Sequence, residues 1–169
     1  MISTEAVRKG QIKDIKVLIG QVHLTRSPNR LQSVLGSCIG LVIYDPEIRL
    51  AGMAHVLLPH AEGRPRGMLP GKYADHAVDC LLESLTAHGA ARSRLRCKFA
   101  GGARMFDHAL DYTRDIGASN IASVTDALAA ARIPVIAHHV GGRLGRRVEF
   151  TPEDLTLVVE DFGHNRIEL

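Results

Sequence analysis

The strongest constraint on the fold of this chain is a pair of apolar segments on either side of one turn. Residues 39–44 are apolar apart from a glycine, the turn signal Asp45-Pro46 follows, and residues 50–58 are again mostly apolar. Two such segments at this separation predict an antiparallel β-hairpin. With the turn centred near Pro46-Glu47, residue 38 is predicted to pair with about residue 55.

The predicted hairpin brings one cysteine close to one histidine. Cys38 stands in the run Leu35-Gly36-Ser37-Cys38-Ile39-Gly40 at the entrance to the first strand, and His55 lies within the second strand. A thiol and an imidazole on neighbouring strands are the minimal equipment for nucleophilic acyl chemistry. The flanking glycines leave the backbone amides of Ser37 and Cys38 accessible as oxyanion donors. The alternative is that Cys38 is a small core residue, the commoner role of a buried thiol.

Periodicity along the rest of the chain predicts several strands and two main helices. Alternating or continuous apolar residues indicate further strands at 13–24, 31–35, 94–100, 133–140, 147–150 and 155–160. Apolar residues at helical spacing indicate one helix within 72–88 and a second that begins near Ser119 or Asn120 and ends before Pro134.

These elements contain no internal repeat, so the predicted fold class is an α/β (α+β) sandwich with a mixed, largely antiparallel sheet. A chain of 169 residues suits a single domain over residues 1–169, with 1–13 as a loosely ordered lead-in.

Composition argues against several other classes of protein. Apolar residues are 46% and charged residues 23% of the chain, as in an ordinary globular domain. The longest apolar windows are far short of the ~20 residues of a membrane span, and the first residues lack the apolar core of a signal peptide. We therefore expect a cytoplasmic protein without membrane insertion. The net charge of +3 is modest, and we expect no nucleic acid partner.

The cysteine and histidine patterns give no metal signature. Three cysteines without a CxxC spacing predict neither a disulfide framework nor a zinc ribbon. His138 and His139 are neighbours in a predicted strand and would point to opposite faces, so they would not share an ion. We expect no metal and no organic cofactor. Core packing is the expected role of Cys80 and Cys97.

Seven short blocks, in order between about residues 15 and 161, resemble those of the chemoreceptor glutamine deamidase family, CheD. The blocks are Leu35-Gly36-Ser37-Cys38, Tyr44-Asp45-Pro46, Gly52-Met53-Ala54-His55-Val56-Leu57-Leu58-Pro59, Lys72-Tyr73-Ala74-Asp75, Gly101-Gly102-Ala103-Arg104-Met105-Phe106, Ile116-Gly117-Ala118-Ser119-Asn120 and Gly141-Gly142-Arg143-Leu144-Gly145-Arg146. Each block is weak alone, and the ordered set is specific.

The resemblance implies a cytosolic enzyme of bacterial chemotaxis that converts glutamine side chains of methyl-accepting chemoreceptors to glutamate. Some members of the family also have a methylesterase-like activity on receptor glutamyl esters, so the resemblance implies that activity as well. The implied fold is similar to the catalytic domain of cytotoxic necrotizing factor, another deamidase. The family's nucleophile and base carry over to Cys38 and His55.

The third catalytic position of the family is a threonine a few residues before the cysteine, and this chain departs from it. Gln32 and Ser33 occupy the matching stretch. Ser33 keeps the hydroxyl and is the first choice. Gln32 is the alternative, since its amide oxygen would also orient an imidazole.

Two other functions compete with a receptor deamidase. One is a non-catalytic binding module that regulates a phosphatase of the CheC type or a receptor, because members of the family bind such partners. The other is a general cysteine hydrolase.

Two groups of arginines are candidates for steering the protein toward an acidic receptor surface. They are Arg64 and Arg66, and Arg143, Arg146 and Arg147. The sequence contains no heptad pattern that would indicate an obligate dimer, so we expect a monomer.

Overall fold

The computed structural model describes residues 11–105 and 115–169. The predicted lead-in over 1–13 and the last residue of the fifth family block, Phe106, therefore fall wholly or mostly outside the described residues. The elements in chain order are β1 (Asp14–Lys16), β2 (Val22–Arg26), β3 (Arg30–Leu35), β4 (Ile39–Asp45), β5 (Leu50–Val56), α1 (Ala74–Ala87), a 3-10 helix (Arg92–Arg94), β6 (Arg96–Gly101), α2 (Ile116–Ala130), β7 (Val135–Val140), β8 (Arg146–Thr151), β9 (Thr156–Asp161) and β10 (Arg166–Glu168).

The strands form two five-stranded sheets that pack face to face. The first sheet has the order β1-β3-β8-β9-β10 and the second has the order β2-β5-β4-β6-β7. Only the β1–β3 and β6–β7 pairs are parallel among the described strands. The predicted sandwich with mixed, largely antiparallel sheets and two main helices is confirmed.

The second sheet is the central layer, because both of its faces are covered. Every residue of β4 and β5 is buried. Side chains of alternate parity on β4 pack in opposite directions: Ile39, Leu41 and Ile43 pack with the helices, whereas Val42 and Tyr44 pack with the first sheet. A continuous apolar run is what a strand buried on both faces requires. This explains why the hairpin is the clearest signal in the sequence.

The predicted hairpin is present, but its register was wrong by two residues. His55 lies opposite Gly40, and Asp45 lies opposite Leu50. The turn covers residues 46–49 and is centred after Glu47, with Arg49 in the left-handed region at φ 52. The predicted turn centre was one position too early. Cys38 is therefore a diagonal neighbour of His55 rather than its direct partner.

Three other elements differ from the prediction. The strand predicted over 13–24 is split at Gly20, whose φ is +78, and its two halves belong to different sheets. The second helix begins at Ile116, capped by Asp115, whose carboxylate accepts from the amide of Ala118. Asn120 is consequently inside the helix and not its cap. The short strand β10 was not predicted.

Candidate active site

His55 is a buried histidine whose imidazole reaches across the space between the two sheets. It lies on β5 of the second sheet and is 4% exposed. Its Nδ1 lies 2.9 Å from the Ser33 hydroxyl, on β3 of the first sheet, and 3.2 Å from the carbonyl oxygen of Val17. Val17 belongs to the segment that crosses from β1 to β2. The imidazole is thus held by groups from the other sheet and from the crossing segment.

The contacts of Ser33 determine which nitrogen of the imidazole carries its proton. The Ser33 hydroxyl donates to the Val17 carbonyl at 2.9 Å, so its oxygen is left to accept from Nδ1 of His55. The Val17 carbonyl is only an acceptor, and it too favours a proton on Nδ1. Nε2 therefore carries the lone pair. Among the described residues Nε2 has no hydrogen bond, which leaves it available as a base.

Cys38 is positioned by a short loop, residues 36–38, between β3 and β4. Each of the three carbonyl groups of this loop accepts one hydrogen bond, two from the segment that follows β6 and one from α2. Gly36 accepts from the amide of Ala103, Ser37 from the side chain of Asn120, and Cys38 from the amide of Gly102. Close approach explains a glycine here: a Cβ on Gly101, at φ +123, would lie 2.1 Å from the Cys38 carbonyl oxygen.

The thiol of Cys38 and the imidazole of His55 lie on the same face of the second sheet. Cys38 packs with Val42 and Tyr44 in the core that faces the first sheet, the direction that His55 also takes. Gly40, directly opposite His55, has no side chain to separate the two. Diagonal neighbours across an antiparallel pair have Cα atoms ~7–8 Å apart, within reach of long side chains. No hydrogen bond joins the two groups in the structure described.

The pKa shifts of both groups favour their uncharged forms. Burial raises the pKa of the Cys38 thiol. It also lowers the pKa of the His55 imidazole, which the hydrogen bond to Val17 partly offsets. The two directions favour a neutral thiol beside a neutral imidazole. Such a pair suits proton transfer during attack rather than a standing thiolate and imidazolium.

Of the two alternatives for the third position, the structure brings only Ser33 into contact with the imidazole. Gln32 points to the opposite face of the first sheet, where its amide donates to Glu149 at 2.6 Å. The reason is the period of two along a strand, which turns successive side chains to opposite faces.

An open groove of about 710 Å³ gives the imidazole a connection to solvent. Its lining includes His55 and Ser33, the exposed apolar residues Leu18, Ile19 and Val34, and charged residues of β8, β9 and β10. The outer face of the first sheet, which carries no helix among the described residues, forms its floor. A volume of this size is ordinary for a ligand-binding cleft.

Comparison with known proteins gives the relationship of this chain. The family model described as "CheD chemotactic sensory transduction" matches residues 57–161. The chemoreceptor glutamine deamidase CheD of Halalkalibacterium halodurans is 42% identical over 159 residues, 92% of this chain and 98% of the relative.

The chain belongs to the CheD family.

A second relative of the same name, from Bacillus licheniformis, is 37% identical over 150 residues, which cover 86% of this chain and 88% of the relative. A protein of Symbiobacterium thermophilum with the CheD designation is 44% identical over 155 residues, covering 89% and 94%. The family model begins after Cys38 and His55. The case for the two site residues therefore depends on their geometry.

The arginines singled out in this CheD-family sequence do not form one free cationic surface. Arg146 is 2% exposed, and its guanidinium donates to His139 and to the carbonyl oxygens of Gly141 and Leu144. It is a structural residue of the β7–β8 connection, so its assignment to a steering patch was wrong. Arg66 forms an ion pair with Glu83 at 2.6 Å. Arg147 is exposed and lines the groove.

The remaining expectations concern metals and membranes. In residues 11–105 and 115–169, no group of three or more histidine, cysteine or acidic side chains is placed to hold a metal ion. His138 stacks on Phe99, whereas His139 contacts Arg146, so the two neighbours have separate partners. Neither helix of the described part is long and apolar enough to cross a bilayer.

Sequence reasoning missed two groups that shape the site. The carbonyl of Val17 carries no side-chain signal and was not predictable. Asn120 was noted only as a possible helix cap, and it belongs to one of the family blocks. In the structure it is fully buried, and its Nδ2 donates to the carbonyls of Ser37 and Leu57, both at 3.0 Å.

Proposed function

We propose that this chain is a protein-glutamine deamidase that acts on chemoreceptors through a Cys38 thioester. The observation that carries the proposal is the arrangement of His55. Its Nδ1 is held by Ser33 and Val17. Nε2 has no hydrogen bond among the described residues and lies on the face of the sheet that also carries Cys38. The names of the CheD relatives supply the substrate class.

The reaction begins with attack of Cys38 on the carboxamide carbon of a glutamine side chain. The sulfur forms a bond to this carbon, and the thiol proton moves to Nε2 of His55. The resulting tetrahedral oxyanion accepts hydrogen bonds from the backbone amides of Ser37 and Cys38. His55, now an imidazolium, remains oriented by the Ser33 hydroxyl.

Collapse of this intermediate breaks the carbon–nitrogen bond. The imidazolium gives its proton to the departing nitrogen, which leaves as ammonia, and a thioester remains on Cys38. Neutral His55 next takes a proton from water, whose oxygen attacks the thioester. The carbon–sulfur bond then breaks, and the imidazolium returns its proton to the sulfur, which leaves a glutamate side chain and the free thiol. No oxidant, reductant or cofactor enters the balance.

The test is intact-mass analysis of a chemoreceptor cytoplasmic fragment incubated with wild-type protein, Cys38→Ala or His55→Ala. Each converted amide adds about one dalton, and about three daltons in ¹⁸O-labelled water, because hydrolysis inserts one water oxygen. Cys80→Ala is the matched control, since Cys80 is a similarly buried thiol, 6% exposed, on α1.

We expect the mass gain with wild type and Cys80→Ala and not with the two site variants. Deamidation by Cys38→Ala at the wild-type rate would overturn the mechanism. A wild type that binds the receptor fragment or a CheC-type phosphatase but modifies no receptor fragment would favour the alternative, a non-catalytic binding module.

Several further features belong to the same proposal. Residues 1–169 form one deamidase domain that acts as a monomer in the cytoplasm. A CheC-type phosphatase is a candidate partner. Sedimentation of the purified protein, alone and with such a phosphatase, tests the monomer and the partner together.

A further inference from the structure

The side chain of Asn120 joins the two strand ends that carry the site. Its Nδ2 donates to the carbonyl of Ser37, the residue before the nucleophile, and to that of Leu57, two residues after His55. The side chain is fully buried, and within the described residues its Oδ1 has no hydrogen-bond partner. An amide that uses both donors and leaves its acceptor unpaired is costly, and such groups are often retained for a functional reason.

The contact with Ser37 sets the direction of a catalytic amide. In a trans peptide group the C=O and N–H bonds point in opposite directions. A donor that holds the Ser37 carbonyl on the α2 side therefore turns the N–H of Cys38 to the other side, away from Asn120. Within the described residues the amides of Ser37 and Cys38 donate no hydrogen bond, which leaves them free to bind an oxyanion.

The helix that carries Asn120 packs closely against Gly102, which follows β6 and contacts the loop. A Cβ on Gly117 would lie 2.5 Å from the carbonyl oxygen of Gly102, and a Cβ on Gly102 would lie 2.5 Å from Ile121. Gly102 in turn donates its amide to the Cys38 carbonyl. The backbone of α2 thus approaches Gly102 as closely as glycine allows, and Gly102 is bonded to the loop, which gives the Asn120 amide a defined position.

We propose that Asn120 is a positioning residue for the oxyanion site: it holds the Ser37–Cys38 peptide group so that the Cys38 amide faces the reacting carbonyl. The inference rests on the proposed function in assigning Cys38 as the nucleophile. It adds that α2, distant in sequence, determines the orientation of the oxyanion donor. The two neighbouring peptide groups are held by backbone amides, so only this one depends on a side chain.

The test compares two reactions of the Cys38 thiol that differ in their need for an oxyanion site. Acetylation by p-nitrophenyl acetate passes through a tetrahedral oxyanion; sulfur bonds to the acetyl carbon and p-nitrophenolate leaves. Alkylation by iodoacetamide is a direct displacement without an oxyanion. Both rates are measured at Cys38 by peptide mass mapping in wild type, Asn120→Ala and Asn120→Asp. Neither reagent requires a chemoreceptor, so the test is independent of receptor deamidation.

We expect acetylation to slow by about 10-fold to 100-fold in both variants, with alkylation and its pH profile within about twofold of wild type. Ser123→Ala is the matched control, because Ser123 is a buried polar residue of the same helix whose hydroxyl contacts His60 and not the loop. It should leave both rates unchanged. The isosteric Asn120→Asp keeps the test decisive if the alanine variant fails to fold.

Two outcomes would overturn the inference. One is acetylation at the wild-type rate in folded Asn120 variants. The other is a parallel fall of acetylation and alkylation, which would assign Asn120 a general structural role. A protein that fails to deamidate any receptor while Asn120→Ala selectively loses acetylation would refute the proposed function and support the positioning role.

Discussion

Cys38 and Cys97 are both buried thiols associated with the second sheet, and their surroundings differ in every other respect. Cys97 lies within β6, opposite Ile43, in the apolar core that faces the helices. Cys38 lies in a loop before β4, on the opposite face, near the buried polar groups of Ser33 and His55. Burial of a thiol therefore says little about its role. What distinguishes Cys38 from Cys97 is the base near Cys38 and the free backbone amides around it.

The difference also extends along one strand. Cys97 is near the beginning of β6, where the strand pairs regularly with β4 and its pairing with β7 is irregular between Cys97 and Lys98. Gly101 is the last residue of β6, in contact with the carbonyl of Cys38. The same strand thus provides core packing at one end and support for the candidate active site at the other. Four predictions test this contrast, from the largest expected effect to the smallest.

Replacing each thiol in turn gives the largest expected difference. Cys38→Ser should lower the rate of receptor deamidation at least ~10³-fold, because the nucleophile is lost. Cys97→Ala should retain activity and lose about 1–2 kcal/mol of unfolding free energy to a small cavity. Ammonia release and urea denaturation measure the two effects. Equal losses of activity in folded variants would remove the contrast.

The support given by β6 is tested at Gly101. Gly101→Ala places a Cβ on the Cys38 carbonyl at a φ of +123, and we expect a loss of at least ~2 kcal/mol in the free energy of unfolding. Gly67→Ala is the control, since a Cβ added there would have no atom within 4 Å and its φ lies outside the strained range. A Gly101→Ala protein as stable as the control would contradict this account of the loop.

The hydroxyl that holds the imidazole should have a smaller effect. Ser33→Ala removes one of the two acceptors of Nδ1 on His55 and leaves the Val17 carbonyl at 3.2 Å. We expect kcat to fall about tenfold, with KM little changed. Ser33→Thr keeps the hydroxyl and should stay close to wild type. If both variants lose the same activity, packing at this buried position and not hydrogen bonding would be responsible.

The smallest expected effect is a displaced acid limb in the pH dependence of kcat/KM. The active form of His55 is neutral, and burial lowers its pKa below the ordinary 6.5. Activity should therefore persist at pH 6.5 and fall only at lower pH, as the imidazole becomes protonated.

The lowered pKa of His55 also makes the free energy of unfolding depend on pH. Its contribution is present above pH 6.5 and is lost as the pH falls through the pKa of the folded state. Cys97, whose pKa burial raises, should resist alkylation throughout this range until the protein unfolds. If the acid limb of kcat/KM has its midpoint at or above pH 6.5, His55 is not a buried neutral base.

Local patterns predicted the fold better than they predicted the contacts of the site. The hairpin and α1 are confirmed because buried strands and amphipathic helices carry long periodic signals. The register was wrong because periodicity does not report turn length. Asparagine is a residue type that often caps helices, so the sequence suggested that role for Asn120. Its side chain instead bonds to Ser37, 83 residues earlier in the chain. No local pattern reports a hydrogen bond at that separation.

By itself, the sequence determined that one hairpin carries a thiol at the entrance to its first strand and an imidazole within its second strand, because a continuous apolar hairpin has few alternatives. Only the tertiary structure decided that Ser33 and not Gln32 contacts His55, and that Asn120 holds the peptide group before Cys38. Those choices depend on which face of a strand meets the second sheet and on where a distant helix packs. Both are consequences of layer packing, to which the whole chain contributes.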